Sequence, residues 1–509
     1  MLDPGKRIPS PRFLLAFPPQ QVAGEELVRP DGTLALPYLD AALGAAGFES
    51  DLVDLCIGTP DDRLEDTFHR KIRISDRFVR VGMAPERIVE LASRYDVVAV
   101  TSIFTQQTSR CFEVAELVRA AHPDKLLVAG GGNARSMRER FLDHGFDVVF
   151  LSEGERAIVE LARHLATGTP ALEDIEGIAY RHGGRTIVQP ARRVTLDLDE
   201  YAMPSWAKLP LERYWDIGRI WGGREGWIAA DDRPRYASIF TSRGCPFRCT
   251  YCHISEEREG EVSGAIGSLR LHSIERVEAE LEKLDRLGVT HVLVNDDSLL
   301  AKKGRVHQIL ELLRARRFTL ADVNGVNIIH LFRRGAGGRL EVDVPLLEAL
   351  HAGGFRKISL PFESGSQRVL DKYSAGKWRI EDCDVETLIR TMAKIGIRTD
   401  GNFMIGYPDE TLDELTKTFL LARRAMDAGL VAVQFFMVQP FPGTRLFDES
   451  LANGQLSPTW HPDELGWSKG SPFEKPIIDR ELLKYTWSLV WKLLNSGTRI
   501  AEITGQFGQ

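Results

Sequence analysis

Thr241-Ser-Arg-Gly-Cys245-Pro-Phe-Arg-Cys249-Thr-Tyr-Cys252 places three of the chain's six cysteines within eight residues. Pairing any two as a disulfide leaves the third over, and nothing in the sequence points to an oxidising compartment. A soft-metal site is the better reading. Zinc wants a fourth ligand. His253 follows Cys252 directly, but adjacent residues rarely both reach one tetrahedral ion, and no second cysteine pair or HxxxH spacing follows downstream. Three thiolates without a fourth suit an iron–sulfur cluster that keeps one iron open.

Around this loop, residues 236–445 alternate apolar runs with amphipathic ones. Strands are expected at 237–241, 291–294, 323–329, 357–361, 399–405 and 432–438, with helical stretches such as 274–287 and 412–428 between them. Six repeats are too few for a closed eight-stranded barrel, so an open partial barrel is expected, with its site at the carboxyl ends of the strands. Upstream, strands at 13–17, 50–55, 97–103, 125–129 and 147–151 alternate with helices at 34–46, 85–94, 109–121 and 136–144, the pattern of a doubly wound parallel sheet. A hairpin over 175–190, turning at Gly183-Gly184, closes this first domain. Residues 191–235 read as a connector, and Trp206, Trp215, Trp221 and Trp227 appear there after none in the first 205 residues. Such aromatics suit packing against the flanking domains or, alternatively, a wall over a substrate pocket. The segment 446–509 is irregular until Arg480. Leu482, Leu483, Trp487, Val490, Leu493 and Leu494 then fall at helical spacing, as in a small helical cap. The fold expected is therefore α/β, with domains at 1–190, 236–445 and 446–509 and the connector at 191–235.

A net charge of −7, with acids and bases interleaved over 509 residues, provides no basic stripe for nucleic acid. The apolar run at 13–17 is too short for a signal segment, and no window approaches a membrane span. A cytoplasmic protein is expected, without a membrane or nucleic-acid partner. Cys56, Cys111 and Cys383 are isolated and read as small buried hydrophobes.

In both halves the strand ends are polar, small or glycine-rich. In the first they read Pro18-Pro19-Gln20-Gln21, Ser102-Ile-Phe-Thr105-Gln106-Gln107, Gly130-Gly131-Gly132-Asn133 and Ser152-Glu153-Gly154-Glu155. Successive glycines let a ligand approach the backbone closely, although this is not the G-x-G-x-x-G fingerprint and plain turns also use them. In the second they read Asn295-Asp296-Asp297-Ser298, Pro361-Phe-Glu363-Ser364-Gly365-Ser366, Asn402-Phe-Met-Ile-Gly406-Tyr-Pro-Asp-Glu410 and Phe441-Pro442-Gly443-Thr444. The Asp-Asp turn also reads as a simple helix cap.

The C-x3-C-x2-C spacing, with Tyr251 before the last cysteine, resembles the signature of the radical S-adenosylmethionine (SAM) superfamily. The order of the first 165 residues resembles the cobalamin-binding domain of the cobalamin-dependent radical SAM enzymes. These resemblances imply a Rossmann-like cobalamin-binding domain before a (β/α)6 partial barrel, and three cofactors. A 4Fe-4S cluster falls to Cys245, Cys249 and Cys252. SAM falls to Tyr251, Asp296, Asp297, Glu363, Ser364, Asn402 and Gly406. Cobalamin falls to Pro18, Gln20, Ser102, Thr105, Gln106, Gly130, Gly131, Gly132, Asn133, Glu153 and Gly154. The D-x-H-x-x-G element by which other cobalamin proteins ligate cobalt is absent, since Asp66-Thr-Phe-His69 has the wrong spacing, so no histidine is expected on the lower face. The implied activity is methylation of an unactivated carbon, or less often phosphorus, of a small molecule through a 5′-deoxyadenosyl radical and methylcobalamin. An electron donor such as flavodoxin or ferredoxin would supply the electron. The alternatives are cyclisation or ring rearrangement on the same architecture, and an iron–sulfur electron-transfer or scaffold protein. A methylthiotransferase would carry a second three-cysteine cluster near the N-terminus, where only Cys56 and Cys111 stand. No catalytic side chain is assigned.

Overall fold

The computed structural model describes residues 7–23, 28–30, 33–220, 228, 232–466, 470–474 and 476–495, so Trp221 and Trp227 lie outside the described residues. Two compact units emerge. The first draws on Met1–Trp221, Glu256–Ser268 and His461–Gly466, and the second on Gly222–Ser255, Leu269–Trp460 and Trp467–Gln509.

The main sheet of the first unit contains β1 (Phe13–Phe17), β2 (Ser50–Asp54), β3 (Val97–Thr101), β4 (Leu126–Gly130), β5 (Val148–Phe150), β6 (Ile178–His182) and β7 (Arg185–Gln189). Their order is β7-β6-β5-β4-β3-β1-β2, with β1 to β5 parallel and the β6–β7 hairpin antiparallel at the edge. Helices cover both faces of such a sheet, which is why β1 reads Phe-Leu-Leu-Ala-Phe with every residue buried. Phe13, Leu15, Val97, Val128 and Val148 pack with Ile158 and Leu161 from the helix Gly154–Thr167. The 2-1-3-4-5 order reverses direction at β1/β3, the switch point beyond which such folds hold ligands.

Three features depart from the sequence reading. A small antiparallel sheet of Gln20–Ala23, Phe78–Val81 and Lys71–Arg73 follows β1. Its strands are only three or four residues long, too short for periodicity to mark them, and the turn rests on Ser75 Oγ, which accepts from the Arg77 and Phe78 amides. The expected connector is no separate element over residues 191–220. Trp206 and Trp215 are buried, Tyr214 donates to Asp54 Oδ2 at 3.0 Å, and Lys208 reaches Asp40 Oδ1 at 2.7 Å, all within the first unit. Residues 256–268 and 461–466, expected in the barrel and the cap, also join the first unit.

The second unit holds β8 (Tyr236–Ile239), β9 (His291–Val294), β10 (Thr319–Asp322), β11 (Phe355–Glu363), β12 (Arg398–Ile405) and β13 (Ala432–Met437), all parallel and paired in chain order. β8 and β13 are the edges, so the sheet is the open six-stranded form. The expected strand at 323–329 is a turn, and the true strand precedes it. Asp322 Oδ2 accepts the Gly325 amide at 2.8 Å and Gly325 takes φ 93°, which ends the strand despite the apolar residues that follow.

Along β12 and β13 buried residues alternate with half-open ones. Phe403 packs on Phe435, and Phe435 on Phe419 of the helix Leu412–Ala428, so this face meets the helices. Asp400, Asn402, Met404, Gln434 and Phe436 therefore stand on the opposite, inner face. The last helix, Arg480–Leu494, ends where the Asn495 side chain bonds both the amide and the carbonyl of Val433 on β13. Among the described residues no helix is long and apolar enough to cross a membrane.

Candidate functional site

The cysteine loop leaves β8 under tight control. Asp296, 1% exposed, accepts from the Thr241 amide at 2.6 Å, the Thr241 hydroxyl at 2.5 Å and the Ser242 hydroxyl at 2.6 Å. Asp297 Oδ2 accepts from the Gly244 amide at 2.9 Å. Arg305 of the helix Lys303–Arg314 donates to the carbonyls of Thr241 and His272, each at 2.7 Å. On the far side, the Thr250 amide donates to Tyr373 O and the Leu446 amide to Thr250 O.

Between these anchors stand three thiols that form no disulfide. Burial pushes all three up, Cys252 to about 12, while the Lys377 ammonium pulls each toward the thiolate. Lys377 is buried beside Glu363, with Nζ 3.1 Å from Oε1. Burial favours its neutral form, but the Glu363 carboxylate and the thiols of Cys249 and Cys252 outweigh that and raise it. Among the described residues no three His, Cys, Asp or Glu side chains converge as a single metal ion requires. A donor set of three thiols on one loop, with a buried cation to balance thiolate charge, fits a 4Fe-4S cluster instead.

The residues expected to hold SAM divide into two groups. The Asp296 carboxylate accepts from Thr241 and Ser242, so in this structure it positions the cysteine loop. Ser364 is fully buried against Thr418, and Gly365 has no room for a side chain, since a Cβ would stand 2.3 Å from Lys417 O. The Gly406 amide donates to Glu410 Oε2 at 2.6 Å, and the space at its α-carbon is filled by Leu483 and Met437. These groups shape the strand ends. Asn402 and Asp297 are half-buried, Glu363 is buried against Lys377, and Tyr251 packs against the cluster of Tyr373 and Tyr407. Glu363 stands at φ 63° beyond a register shift in β11, a strained conformation of the kind that clusters at ligand sites. Tyr251 bonds Ser374 Oγ at 3.1 Å.

Orphaned oxygens show that these strand ends suit a polar ligand. Asn295 Oδ1, Asp322 Oδ1 and Glu410 Oε1 are buried at the carboxyl ends of β9, β10 and β12 without hydrogen-bond partners among the described residues. Burial raises Asp322 to about 8 and Glu410 to about 7. The carboxylates of Asp400 and Asp296 add to the rise at Asp322, whereas the Gly325 amide and Lys357 oppose it. Asp322 and its neighbours on the inner face were not singled out from sequence. Ser359 Oγ donates to Asp400 Oδ1 at 2.9 Å, and Lys357 Nζ lies 3.8 Å from the same oxygen. Lysine, serine and aspartate inside otherwise apolar strands were the available signal.

At the carboxyl edge of the first unit the sequence-selected residues gather around β1, β3, β4 and β5. Pro18 is buried, and Gln20 donates to Arg29 O at 3.3 Å. The Gln21 amide donates to Gln107 Oε1, whose Nε2 returns a bond to Gln21 O. Asn133 Nδ2 donates to Ser102 Oγ at 2.8 Å and Thr108 Oγ1 at 3.0 Å, while its buried Oδ1 has no partner among the described residues. Thr105 is buried and its carbonyl accepts from Thr108 Oγ1, whereas Gln106 is half-buried. Gly131, at φ 101°, is glycine because a Cβ would stand 2.5 Å from Ser102 O. Protein backbone, rather than a ligand, sets that requirement. Gly130, Gly132, Glu153 and Gly154 are half-buried, and Glu153 accepts from Tyr201. His69 is exposed in the turns after β2. A half-open edge of small residues at the switch point, with an orphaned amide oxygen beside it, fits a large cofactor such as cobalamin.

Comparison with known proteins agrees with both edges. The B12 binding domain model matches residues 32–162 and the Radical SAM superfamily model residues 239–422. An uncharacterized methyltransferase of Pyrococcus horikoshii is 27% identical over 487 residues, covering 95% of this chain and 90% of its own. Cytidylyl-2-hydroxyethylphosphonate methyltransferase of Streptomyces wedmorensis is 23% identical over 482 residues, 88% of this chain and 83% of its own. The fold is shared with the radical SAM methyltransferase TsrM of Kitasatospora setae, solved with cobalamin and a 4Fe-4S cluster, at TM-score 0.61 and 19% identity over 87% of this chain and 75% of that one. With a thiol loop, an open barrel and a B12-type sheet on one polypeptide, the chain belongs to the cobalamin-dependent branch of the radical SAM enzymes, whose cofactors are a 4Fe-4S cluster, SAM and cobalamin.

Proposed function

We propose that the protein methylates an unactivated carbon, or less often phosphorus, of a small molecule. The observation that carries this reading is the pairing of the three-thiol loop with a B12-type edge, in a chain whose methyltransferase relatives align along nearly its whole length. When bound, the cofactors supply one-electron reduction, hydrogen removal from the substrate and the methyl group. The protein's own residues orient and exclude water. Asp296 and Arg305 hold the cysteine loop in place. Lys377 balances the thiolate charge, and Glu363 and Asn402 would hold SAM. The half-open inner face, with Asp400 and Gln434, would receive the substrate. An external electron donor such as flavodoxin or ferredoxin completes the scheme, which suits a cytoplasmic enzyme.

A second reading is cyclisation. The anaerobic magnesium-protoporphyrin IX monomethyl ester cyclase of Cereibacter sphaeroides is 25% identical over 359 residues, 70% of this chain and 53% of its own. Turnover of candidate substrates with methyl-deuterated SAM under anaerobic reduction separates the two. Methyl transfer predicts 5′-deoxyadenosine, S-adenosylhomocysteine and a deuterated product. Deoxyadenosine with an unlabelled, rearranged product and no S-adenosylhomocysteine would favour the cyclase.

A further inference from the structure

The segment Glu256–Ser268 begins four residues after Cys252 yet belongs to the first unit. Its strongest anchor is the ion pair of Glu257 with Arg135, both side chains 10% exposed. Two more contacts lock it down. Ser152 Oγ donates to Ser263 O at 2.8 Å, and the Ala191 amide to Val262 O at 2.9 Å. Gly264, at φ 67°, lies so close to Ala191 that a Cβ would stand 2.7 Å from its carbonyl oxygen. Arg135 belongs to the short helix Gly132–Ser136, which opens from the glycine turn after β4, and Ser152 lies in the turn after β5. Two strand ends of the cofactor edge therefore hold this segment.

The link back to the cysteines is short. His253–Glu256 forms a 3-10 turn, tied by the Ser255 amide to Cys252 O at 3.1 Å, and such a turn advances only about 2 Å per residue. Within the segment, the Gly267 amide closes on Glu257 O at 2.9 Å, so the anchored residue belongs to a folded loop. A buried ion pair is an all-or-none anchor, because loss of one partner strands the other charge away from water.

We propose that the Arg135–Glu257 pair is a positioning latch that couples occupation of the glycine turn by cobalamin to ordering of the cysteine loop by its cluster. Each cofactor then raises the other's affinity by the same factor, as linkage requires. The inference rests on the chain carrying both cofactors and is independent of methyl transfer.

The test uses the full-length chain. Hydroxocobalamin affinity is titrated by corrin absorption in the cluster-reconstituted protein and in the Cys245→Ala/Cys249→Ala/Cys252→Ala variant. The latch predicts affinities that differ about fivefold or more. In Glu257→Gln with its iron retained, and in Glu257→Gln combined with the three alanines, the two values should converge. Retention of the wild-type ratio, or an equal loss in both states as a merely structural contact would give, overturns the latch. Should Glu257→Gln fail to fold, Arg135→Lys keeps the charge but loses the guanidinium fork, and should shrink the ratio. An unchanged ratio there also overturns it. Wild-type protein that binds cobalamin equally with and without the cluster contradicts the latch alone, whereas no cobalamin binding at all overturns it together with the cofactor assignment.

Discussion

Both halves of the molecule place their sites beyond the carboxyl ends of parallel strands, yet the two edges are built from different chemistry. The edge of the doubly wound sheet is made mostly of small residues and neutral hydrogen bonds, with Gln21 on Gln107, Asn133 on Ser102 and a glycine turn closed against Ser102, and the charge of Arg135 there is already met by Glu257. The edge of the open barrel is crowded with buried charge, including the Lys377–Glu363 pair, Asp296 under the cysteine loop, and Asp322 and Glu410 with one oxygen each unpartnered among the described residues. The first arrangement suits a large, preformed cofactor recognised by shape and backbone. The second suits a ligand that brings charge, because buried ionic groups are stable only when paired.

The contrast can be broken most forcefully at the barrel edge. Asp296→Ala removes three acceptor contacts from the loop and should abolish most iron uptake on reconstitution. Glu363→Gln should leave iron content intact and weaken SAM binding tenfold or more, since charge-assisted contacts are worth ~1.5–3 kcal/mol. Iron analysis and calorimetry on both variants check the division, and a SAM defect with full iron in Asp296→Ala would return that residue to the ligand shell.

At the other edge, Gly131→Ala should destabilise the first unit by about 1–3 kcal/mol, the range for a strained backbone position. Urea titration reads this loss in cobalamin-free protein. Unchanged stability combined with lost cobalamin binding would instead mean that the glycine makes room for the ligand.

The smallest effect concerns pH. Burial raises the Asp322 carboxyl to about 8, so between the ordinary carboxylate range and that value the cofactor-free native chain holds a proton that the unfolded chain has released. Stability should fall as pH rises through this window, by at most ~1.4 kcal/mol per pH unit from this group. Lys357 opposes the shift, while Asp296 and Asp400 reinforce it. Asp322→Asn should flatten the slope measured by denaturant titration, and an unaltered slope would show that Asp322 is ionised throughout.

Much of this organisation was legible in the sequence because apolar periodicity reports burial. The five parallel strands, the Gly183-Gly184 hairpin and five of the six barrel strands lie where the periodicity places them, within a few residues at their ends. The misplaced third barrel strand shows the limit of that signal: Val323-Asn-Gly-Val-Asn-Ile-Ile329 is rich in β-branched residues like a strand, but an Asp322 turn ends pairing first. The site was legible where chemistry demands rare residues, as at the three cysteines. It was not legible where a residue's partner lies far along the chain. Nothing near Asp296 reveals that its hydrogen-bond donors are Thr241 and Ser242, and nothing near Arg135 points to Glu257. Lys357 and Asp400 were hidden differently, as polar residues inside strands read chiefly for their apolar neighbours.

The central claim is that one chain carries both a cluster and a cobalamin. It is tested most directly by counting iron, sulfide and cobalt in a single anaerobically reconstituted, desalted sample of the full-length protein. The account predicts about four iron and four sulfide per chain, the content of one cubane cluster, together with stoichiometric cobalt. Iron and sulfide in that ratio with no retained cobalt, or an iron content that survives the triple cysteine substitution, would contradict it.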